Sequence, residues 1–141
     1  MRFWDASAVV PLLVAETTSD ALFALLERDS AMVVWWGTPV EAASALGRRE
    51  REGALSGRDV LEALDRLRLL SRSWDEILPA EAVRTQALRV VRVHPLRAAD
   101  GLQLSAALVA SEHDAASLEF VSRDDRLNEA ARREGFTVVP A

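Results

Sequence analysis

The sequence contains no cysteine and no lysine, and each absence excludes a class of site. Without cysteine there are no disulfides, zinc–thiolate centres or thiol catalysis, in agreement with the reducing cytoplasm where we expect the protein to work. Because all basic residues are arginine, a lysine-dependent phosphate-binding loop is excluded, and no G-x-G-x-x-G fingerprint occurs. The longest apolar runs fall far short of the ~20 residues that cross a bilayer, and no signal-peptide pattern follows Met1. We therefore expect neither a membrane span nor a signal peptide.

The rest of the composition is that of an ordinary globular domain. The chain has 141 residues, of which 50% are hydrophobic and 28% are charged. Twenty-two acids against seventeen bases leave a net charge of −5, which argues against a protein that coats nucleic acid electrostatically. The charge does not exclude an enzyme that handles nucleic acid through a bound metal ion, so the placement of the acids decides between these functions.

Hydrophobic patterning predicts short strands that alternate with helices along the whole chain. Strands are predicted at residues 2–5, 32–36, 73–78, 118–122 and 136–139. Helices are predicted at residues 6–16, 17–28, 38–52, 56–71, 80–93, 97–111 and 124–134. Thr17, Thr18 and Ser19 are capping candidates for the second helix. This alternation is typical of an α/β fold, and we predict a single domain over residues 1–141 with a central, mostly parallel sheet of four or five strands flanked by helices.

Four acids lie where the predicted strands end or the following helices begin. In an open parallel sheet, ligands bind in the crevice outside the carboxyl ends of the strands. Asp5 follows the first strand, and Asp124 follows the strand at residues 118–122. Glu41 and Asp100 lie in the first turns of two helices. An acid at a helix start is also favourable by itself, so Glu41 or Asp124 alone has a purely structural explanation, and Asp125 is expected to be a solvated or capping acid.

Asp5 and Asp100 are harder to explain without a ligand. Asp5 lies beside aromatic and apolar residues, and Asp100 lies in a helix rich in alanine and leucine. Burying either charge is expensive unless the charge is paired, and no lysine or histidine is available for pairing. Close carboxylates without a basic partner favour a bound cation, and hard oxygen ligands suit Mg²⁺ or Mn²⁺.

The other polar and aromatic residues indicate less. His94 and His113 lack zinc-site spacing and are expected at the surface. Ser7 and Ser122 lie near the acids in the sequence, where each could cap a helix or hydrogen-bond a metal ligand. No G-x-S-x-G motif supports a serine hydrolase. The four tryptophans are expected in the core rather than in stacking contacts with RNA.

Four segments carry the acids in order along nearly the whole chain. They are D-A-S-A-V-V-P-L from Asp5, P-V-E-A-A-S-A-L around Glu41, L-R-A-A-D-G-L-Q-L-S-A-A-L around Asp100, and F-V-S-R-D-D-R-L-N-E-A-A-R-R-E-G-F near the C-terminus. This series resembles the PIN-domain family, and most closely the VapC-like toxins of bacterial toxin–antitoxin pairs. One segment alone would be weak evidence, but four with the family's order and spacing are specific.

The resemblance implies a parallel sheet of four or five strands and a ribonuclease that depends on Mg²⁺ or Mn²⁺. The catalytic and metal-binding acids that it implies are Asp5, Glu41, Asp100 and Asp124. In the last segment the family acid usually precedes x-R-L, which selects Asp124 over Asp125. Ser7 and Ser122 match positions where the family often has a serine or threonine that supports the acids.

The implied chemistry is hydrolysis of RNA phosphodiesters by metal-activated water. Two divalent ions would cancel the charge of four carboxylates, so the net acidity does not exclude an RNA substrate. Arg97, Arg123 and Arg126 flank the acids and are candidates for gripping phosphates, although each is also explained as a solvated arginine near a helix start.

The resemblance also implies a cognate antitoxin and a homodimer. The helices at residues 17–28 and 56–72 carry more leucine and valine than two surface helices need, and in the family similar helices form a groove for an antitoxin segment. Both stripes could instead simply pack on the sheet. Two other functions remain open, a non-catalytic PIN-like RNA- or protein-binding module and a phosphohydrolase or structure-specific nuclease on a related sheet. A receiver-type phosphoacceptor is disfavoured because it needs a lysine near its acids.

Overall fold

Strands and helices alternate in the structure as the hydrophobic pattern predicts. The structure is a computed structural model that describes residues 1–140. The strands are β1 (Arg2–Trp4), β2 (Met32–Trp35), β3 (Asp75–Ile77), β4 (Glu119–Val121) and β5 (Thr137–Val139). The helices are α1 (Ala6–Leu13), α2 (Ser19–Arg28), α3 (Thr38–Arg51), α4 (Gly57–Ser71), α5 (Glu81–Val93), α6 (Ala98–Ala110) and α7 (Asp125–Arg133). The predicted α/β class is confirmed.

All five strands are parallel and lie in the order β3-β2-β1-β4-β5. β1 is the central strand, and the chain builds outward from it first on one side and then on the other. The switch of direction therefore falls between β1 and β4, where Arg2 is in register with Glu119. Crevices at such switch points, outside the carboxyl ends of the strands, are the usual ligand sites of open α/β sheets.

Two hydrophobic cores cover the two faces of the sheet. Successive strand residues point to opposite faces, so Trp4 and Val34 join the core formed with α1 to α4. Phe3 and Phe120 join the core formed with α5, α6 and α7, where their rings stack 5.5 Å apart. Helices thus cover both faces of the sheet, so a ligand site is expected at the carboxyl ends of the strands.

The turn between α1 and α2 differs from the prediction. α1 ends three residues early because Val14 takes an extended conformation, and Pro11 therefore lies in its second turn. Thr18, one of the three predicted capping candidates, occupies the N-cap position of α2, but its side chain forms no capping hydrogen bond. Ser19 Oγ instead accepts from Glu16 N at 2.8 Å and donates to the Pro11 carbonyl oxygen at 2.7 Å. These bonds close the turn.

Two expectations about exposure are also wrong. His94 is buried, and its Nε2 lies 2.6 Å from Glu134 Oε2, in a carboxylate that also pairs with Arg89. This partner lies 40 residues along the chain, and it allows a histidine in a helix-breaking turn to be buried. Trp36 is 52% exposed, unlike the other three tryptophans, whereas His113 is exposed as expected.

Among residues 1–140, no helix is both long enough and apolar enough to span a bilayer.

Candidate functional site

Asp5 is the buried centre of the site. It follows the central strand, forms the N-cap of α1 and is 4% exposed. Its Oδ2 accepts hydrogen bonds from Ser7 N at 3.1 Å, from Ser7 Oγ at 2.5 Å and from Ser122 Oγ at 3.2 Å. Within residues 1–140 all three bonds fall on Oδ2, so Oδ1 is the oxygen left for a ligand.

The two serines tie the loop after β4 to the start of α1. Ser122 Oγ accepts from Asp124 N at 3.0 Å, and Ser7 Oγ accepts from Arg123 N at 2.9 Å. The two hydroxyl oxygens lie 3.2 Å apart. Ser7 and Ser122 therefore hold Asp5 and Asp124, which come from opposite ends of the sequence, in one fixed arrangement.

Glu41 is held by a residue on a different helix. It lies half-buried in the first turn of α3, and its Oε2 accepts a hydrogen bond of 2.6 Å from Gln103 Nε2. Gln103 is fully buried in α6, one turn after Asp100, and also donates to Thr38 Oγ1 at 3.1 Å. The bond joins the two helices that carry Glu41 and Asp100.

The remaining two acids are half-buried at helix starts. Asp100 lies in the first turn of α6, and Asp124 is the N-cap of α7, where its Oδ1 accepts from Leu127 N at 3.0 Å. Each of the four acids thus sits at a helix N-terminus, where the helix dipole favours negative charge. The side chain of Asp124 does cap α7, but the capping hydrogen bond uses only its Oδ1.

All four acids line one cleft of about 650 Å³ at the carboxyl edge of the sheet. Asp125 is exposed and lines a different hollow, beside α7. The arginines around the cleft are Arg48, Arg49, Arg97, Arg123 and Arg126. The fold therefore brings together every acid singled out in the sequence except Asp125, and places five arginines along the same cleft.

Burial and the negative charges of neighbouring acids raise pKa values in the cleft. Burial raises the pKa of Asp5 against the hydrogen bonds from Ser7 and Ser122, and the charge of Asp100 raises it further. The pKa of Asp100 is raised by burial and by the charge of Asp124. Both carboxylates thus carry a charge that their surroundings do not fully compensate.

The pKa of Glu41 is raised in the same way. Burial raises its pKa from 4.5 to about 7, and the charges of Asp5 and Asp100 add to the effect, while the Gln103 hydrogen bond lowers the pKa. Such perturbed groups in a cleft are typical of functional sites.

Two of the cleft arginines pair with Glu16 rather than with the acids. Arg49 Nη2 forms an ion pair with Glu16 Oε1, and Arg123 Nη1 donates to Glu16 Oε2 at 2.8 Å. In the described part of the chain, no salt bridge joins a basic group to any of the four acids. Arg97 and Arg126 line the cleft with exposed side chains.

The donor set suits a hard divalent cation. It consists of carboxylate oxygens without cysteine or histidine, which is the preference of Mg²⁺ and Mn²⁺. Between residues 1 and 140, no group of three or more histidine, aspartate and glutamate side chains is placed to hold one ion together. Mg²⁺ does not need such a cage, because it usually keeps several waters and binds one or two carboxylates. A divalent ion would also supply the positive charge that the raised pKa values indicate is missing.

Known proteins decide the family. No family model matches the chain. Ribonuclease VapC45 of Mycobacterium tuberculosis strain CDC 1551 is 30% identical to it over 99% of this chain and 94% of its own. Ribonuclease VapC49 of strain H37Rv gives the same identity and coverage. The chain belongs to the VapC family. The resemblance to the VapC-like toxins is thereby confirmed.

Three solved structures share the fold of this chain. A toxin–antitoxin complex from Klebsiella pneumoniae has a TM-score of 0.69 at 13% identity, with 99% of this chain and 97% of that chain covered. FitAcB from Neisseria gonorrhoeae has a TM-score of 0.68 at 17% identity over the same shares. PAE2754 from Pyrobaculum aerophilum has a TM-score of 0.68 at 20% identity, with 98% and 83% covered. At these identities the likeness is one of fold alone.

Several side chains at the site of this VapC-family chain are absent from the sequence-based prediction. Gln103 had one signal, as the amide in the otherwise apolar or small stretch L-Q-L-S-A-A-L. The sequence contains no such signal for Glu16, Arg48 and Arg49, because charged residues near helix ends are ordinarily solvated. Arg48 and Arg49 line the cleft, where α3 packs beside α1, and Glu16 pairs with Arg49.

Proposed function

We propose that this chain is a metal-dependent endoribonuclease and the toxin of a toxin–antitoxin pair. The observation that carries the proposal is the cleft, where carboxylates from the N-terminal ends of four helices meet and, among the described residues, none of them forms a salt bridge. The 30% identity to two proteins named as VapC ribonucleases supports RNA as the substrate.

In this proposal the four acids hold Mg²⁺ or Mn²⁺. When bound, the ion supplies an activated water and neutralises charge on the leaving oxygen. Asp5 is the least mobile ligand, because Ser7 and Ser122 fix its Oδ2 and leave Oδ1 available. Because one Mg²⁺ usually binds only one or two carboxylates, Glu41, Asp100 and Asp124 would supply a further ligand to this ion or hold a second one.

The arginines would bind the RNA backbone. A guanidinium can donate two parallel hydrogen bonds to one phosphate, and Arg97 and Arg126 are exposed beside the acids. Among the described residues, the side chain of Arg123 commits Nη1 to Glu16, and its other N–H groups can donate to a phosphate. This local positive rim explains how a protein with a net charge of −5 would bind a polyanion.

Substitution of single aspartates by the uncharged asparagine, inside and outside the cleft, tests the activity and the site together. Purified protein should cut RNA with Mg²⁺ or Mn²⁺ and be inactive in EDTA. Asp124→Asn and Asp100→Asn should each lower kcat about a hundredfold or more, because each removes a charged group from the reacting centre. Asp125→Asn is the matched control, with the same change one residue away but outside the cleft, and should cut at the wild-type rate.

Three results would contradict parts of the proposal. Equal losses in Asp124→Asn and Asp125→Asn would indicate a general effect of charge. Wild-type rates in Asp100→Asn and Asp124→Asn would show that the acids are not the site. Binding of RNA without cleavage in either ion would favour a non-catalytic PIN-like module instead.

We also propose an antitoxin protein as partner and a homodimer as the assembly. Most of the apolar stripes on α2 and α4 pack into the core. Phe23 on α2 and Leu61 and Leu69 on α4 nevertheless remain 45%, 67% and 62% exposed. Light scattering should give twice the chain mass, and the product of an adjacent small gene should co-purify with the wild type. A monomer at micromolar concentration without such a complex would contradict both.

A further inference from the structure

Gln103 makes an unusual set of contacts for a core residue. It is fully buried among apolar and small residues of α6, yet both of its amide hydrogens are directed to α3, toward Glu41 Oε2 and Thr38 Oγ1. Its carbonyl Oε1 is buried without a hydrogen-bond partner among the described residues. An unpaired buried acceptor costs stability, and an apolar side chain of this size would avoid the cost. The packing of α6 alone therefore does not explain this amide.

The contact determines which oxygen of Glu41 is available. An amide nitrogen has two hydrogens, and Gln103 commits one to Thr38 Oγ1 and one to Glu41 Oε2. Both amide hydrogens are thereby used, and Oε2 of Glu41 is occupied by the bond from Gln103. Oε1 is the oxygen of Glu41 left for a cation in the cleft.

We propose that Gln103 is a positioning residue that presents Glu41 to the cation through a single oxygen, and so favours Mg²⁺ and Mn²⁺ over Ca²⁺. The inference rests on the proposed metal-dependent function. Mg²⁺ takes an octahedral shell with several waters, whereas Ca²⁺ accepts more ligands in flexible geometry and often binds a carboxylate through both oxygens. Because Oε2 accepts the hydrogen bond from Gln103, coordination through both oxygens would compete with that bond, which disfavours the binding mode that suits Ca²⁺.

Calorimetric titration of RNA-free protein with each ion tests the proposal without using activity. Gln103→Leu should weaken Mn²⁺ and Mg²⁺ binding about tenfold, as expected when a partner of a metal ligand is removed. Ca²⁺ binding should weaken less, so the preference for Mg²⁺ over Ca²⁺ should fall. Thr38→Val is the matched control, because it removes the other hydrogen bond of the same amide, and it should bind the ions like the wild type.

A double-mutant cycle separates positioning from packing. In a Glu41→Gln background, Gln103→Leu should change metal affinity no further, although it should still alter thermal stability. Gln103→Met, which fills the same space flexibly, replaces the leucine variant if that protein does not fold. In the wild type, the side-chain amide NMR signal of Gln103 should also move on addition of Mg²⁺, a measurement that needs no variant.

The failures are distinguishable. If the wild type binds neither Mn²⁺ nor Mg²⁺, the proposed function and this inference are both overturned. If the wild type binds them and Glu41→Gln weakens binding, but Gln103→Leu and Gln103→Met bind like the wild type, only the inference about Gln103 is overturned. An equal weakening in Thr38→Val would also overturn it, because the effect would then come from the helix contact as a whole.

Discussion

Replacing Glu41 by glutamine should stabilise the metal-free protein at neutral pH. Burial, with the charges of Asp5 and Asp100, raises the pKa of Glu41 from 4.5 to about 7, despite the hydrogen bond from Gln103. Below pH ~4.5 the carboxyl is protonated in both the folded and unfolded chains. Between that pH and 7 the unfolded chain ionises while the folded one keeps its proton. The raised pKa of Glu41 in the folded chain therefore contributes its full stabilisation below pH ~4.5. This contribution is lost as the pH rises through 7. Glutamine does not titrate and escapes this loss.

The size of the effect follows from the pKa of Glu41. One pH unit corresponds to about 1.4 kcal/mol, so the rise from 4.5 to about 7 sets an upper bound of about 3.4 kcal/mol. Glu41 is partly open to the water of the cleft, which screens the charge, and we expect about half of this bound. For a domain of this length, about 1.5 kcal/mol corresponds to roughly 5 °C in Tm.

Thermal unfolding between pH 4 and 8 in EDTA, at constant ionic strength, measures this difference. The Tm of Glu41→Gln relative to the wild type should rise by roughly 5 °C across the range. Mn²⁺ should reverse the order, because a hundredfold excess over Kd stabilises the wild type by about 2.7 kcal/mol and the variant by less. Glu50→Gln, an exposed change on the same helix, is the control. A Tm difference between Glu41→Gln and the wild type that does not change with pH would refute the reasoning.

Two further variants test the packing and the hydrogen bonds around the site. Gly101→Ala should lower the free energy of unfolding by about 1–3 kcal/mol, because the added Cβ would lie 2.4 Å from Val91 Cγ1. Urea unfolding measures this loss. Gly47→Ala is the control and should show no such loss, because its added Cβ would meet the flexible guanidinium of Arg51. Ser122→Ala should raise the pKa of Asp5 further and destabilise the fold by about 1 kcal/mol, because it removes a donor to a buried carboxylate. NMR titration of Asp5 checks the first effect, and an unchanged pKa would contradict it.

The fold class could be predicted because hydrophobic periodicity is a local property. The strands β1, β2, β4 and β5 are short and largely apolar, whereas β3 is D-E-I, and the turn and cap residues around the strands are also local signals. Ser56 and Asp59, for example, form the capping box of α4, and Gly135 ends α7 with a positive φ of 102°. The early end of α1 was not predictable, because contacts with the following turn override its apolar pattern. The burial of His94 was not predictable either, because it depends on Glu134, 40 residues away.

The acids of the site could be singled out because position in a parallel sheet is also a sequence property. Residues that follow strands share one edge, and this selects Asp5 and Asp124 without knowledge of side-chain contacts. The residues that orient the acids could not be found in this way. Gln103 reaches Glu41 across 62 residues, and Glu16 reaches Arg123 across 107. Such pairings follow from the packing of helices, which the spacing of residues along the chain does not encode.

The position of Asp5 explains why this cleft opposes the stability of the fold. β1 is the central strand, so helices cover both of its faces and the residue after it is almost completely buried. Three hydrogen bonds to one carboxylate oxygen reduce the cost of burial without cancelling it, since the pKa of Asp5 is still raised. Asparagine could accept similar hydrogen bonds and would carry no buried charge. A cation that binds only the folded chain would account for the aspartate, because it returns stability as RT ln(1 + [L]/Kd). The carboxylate then costs stability only in the metal-free protein.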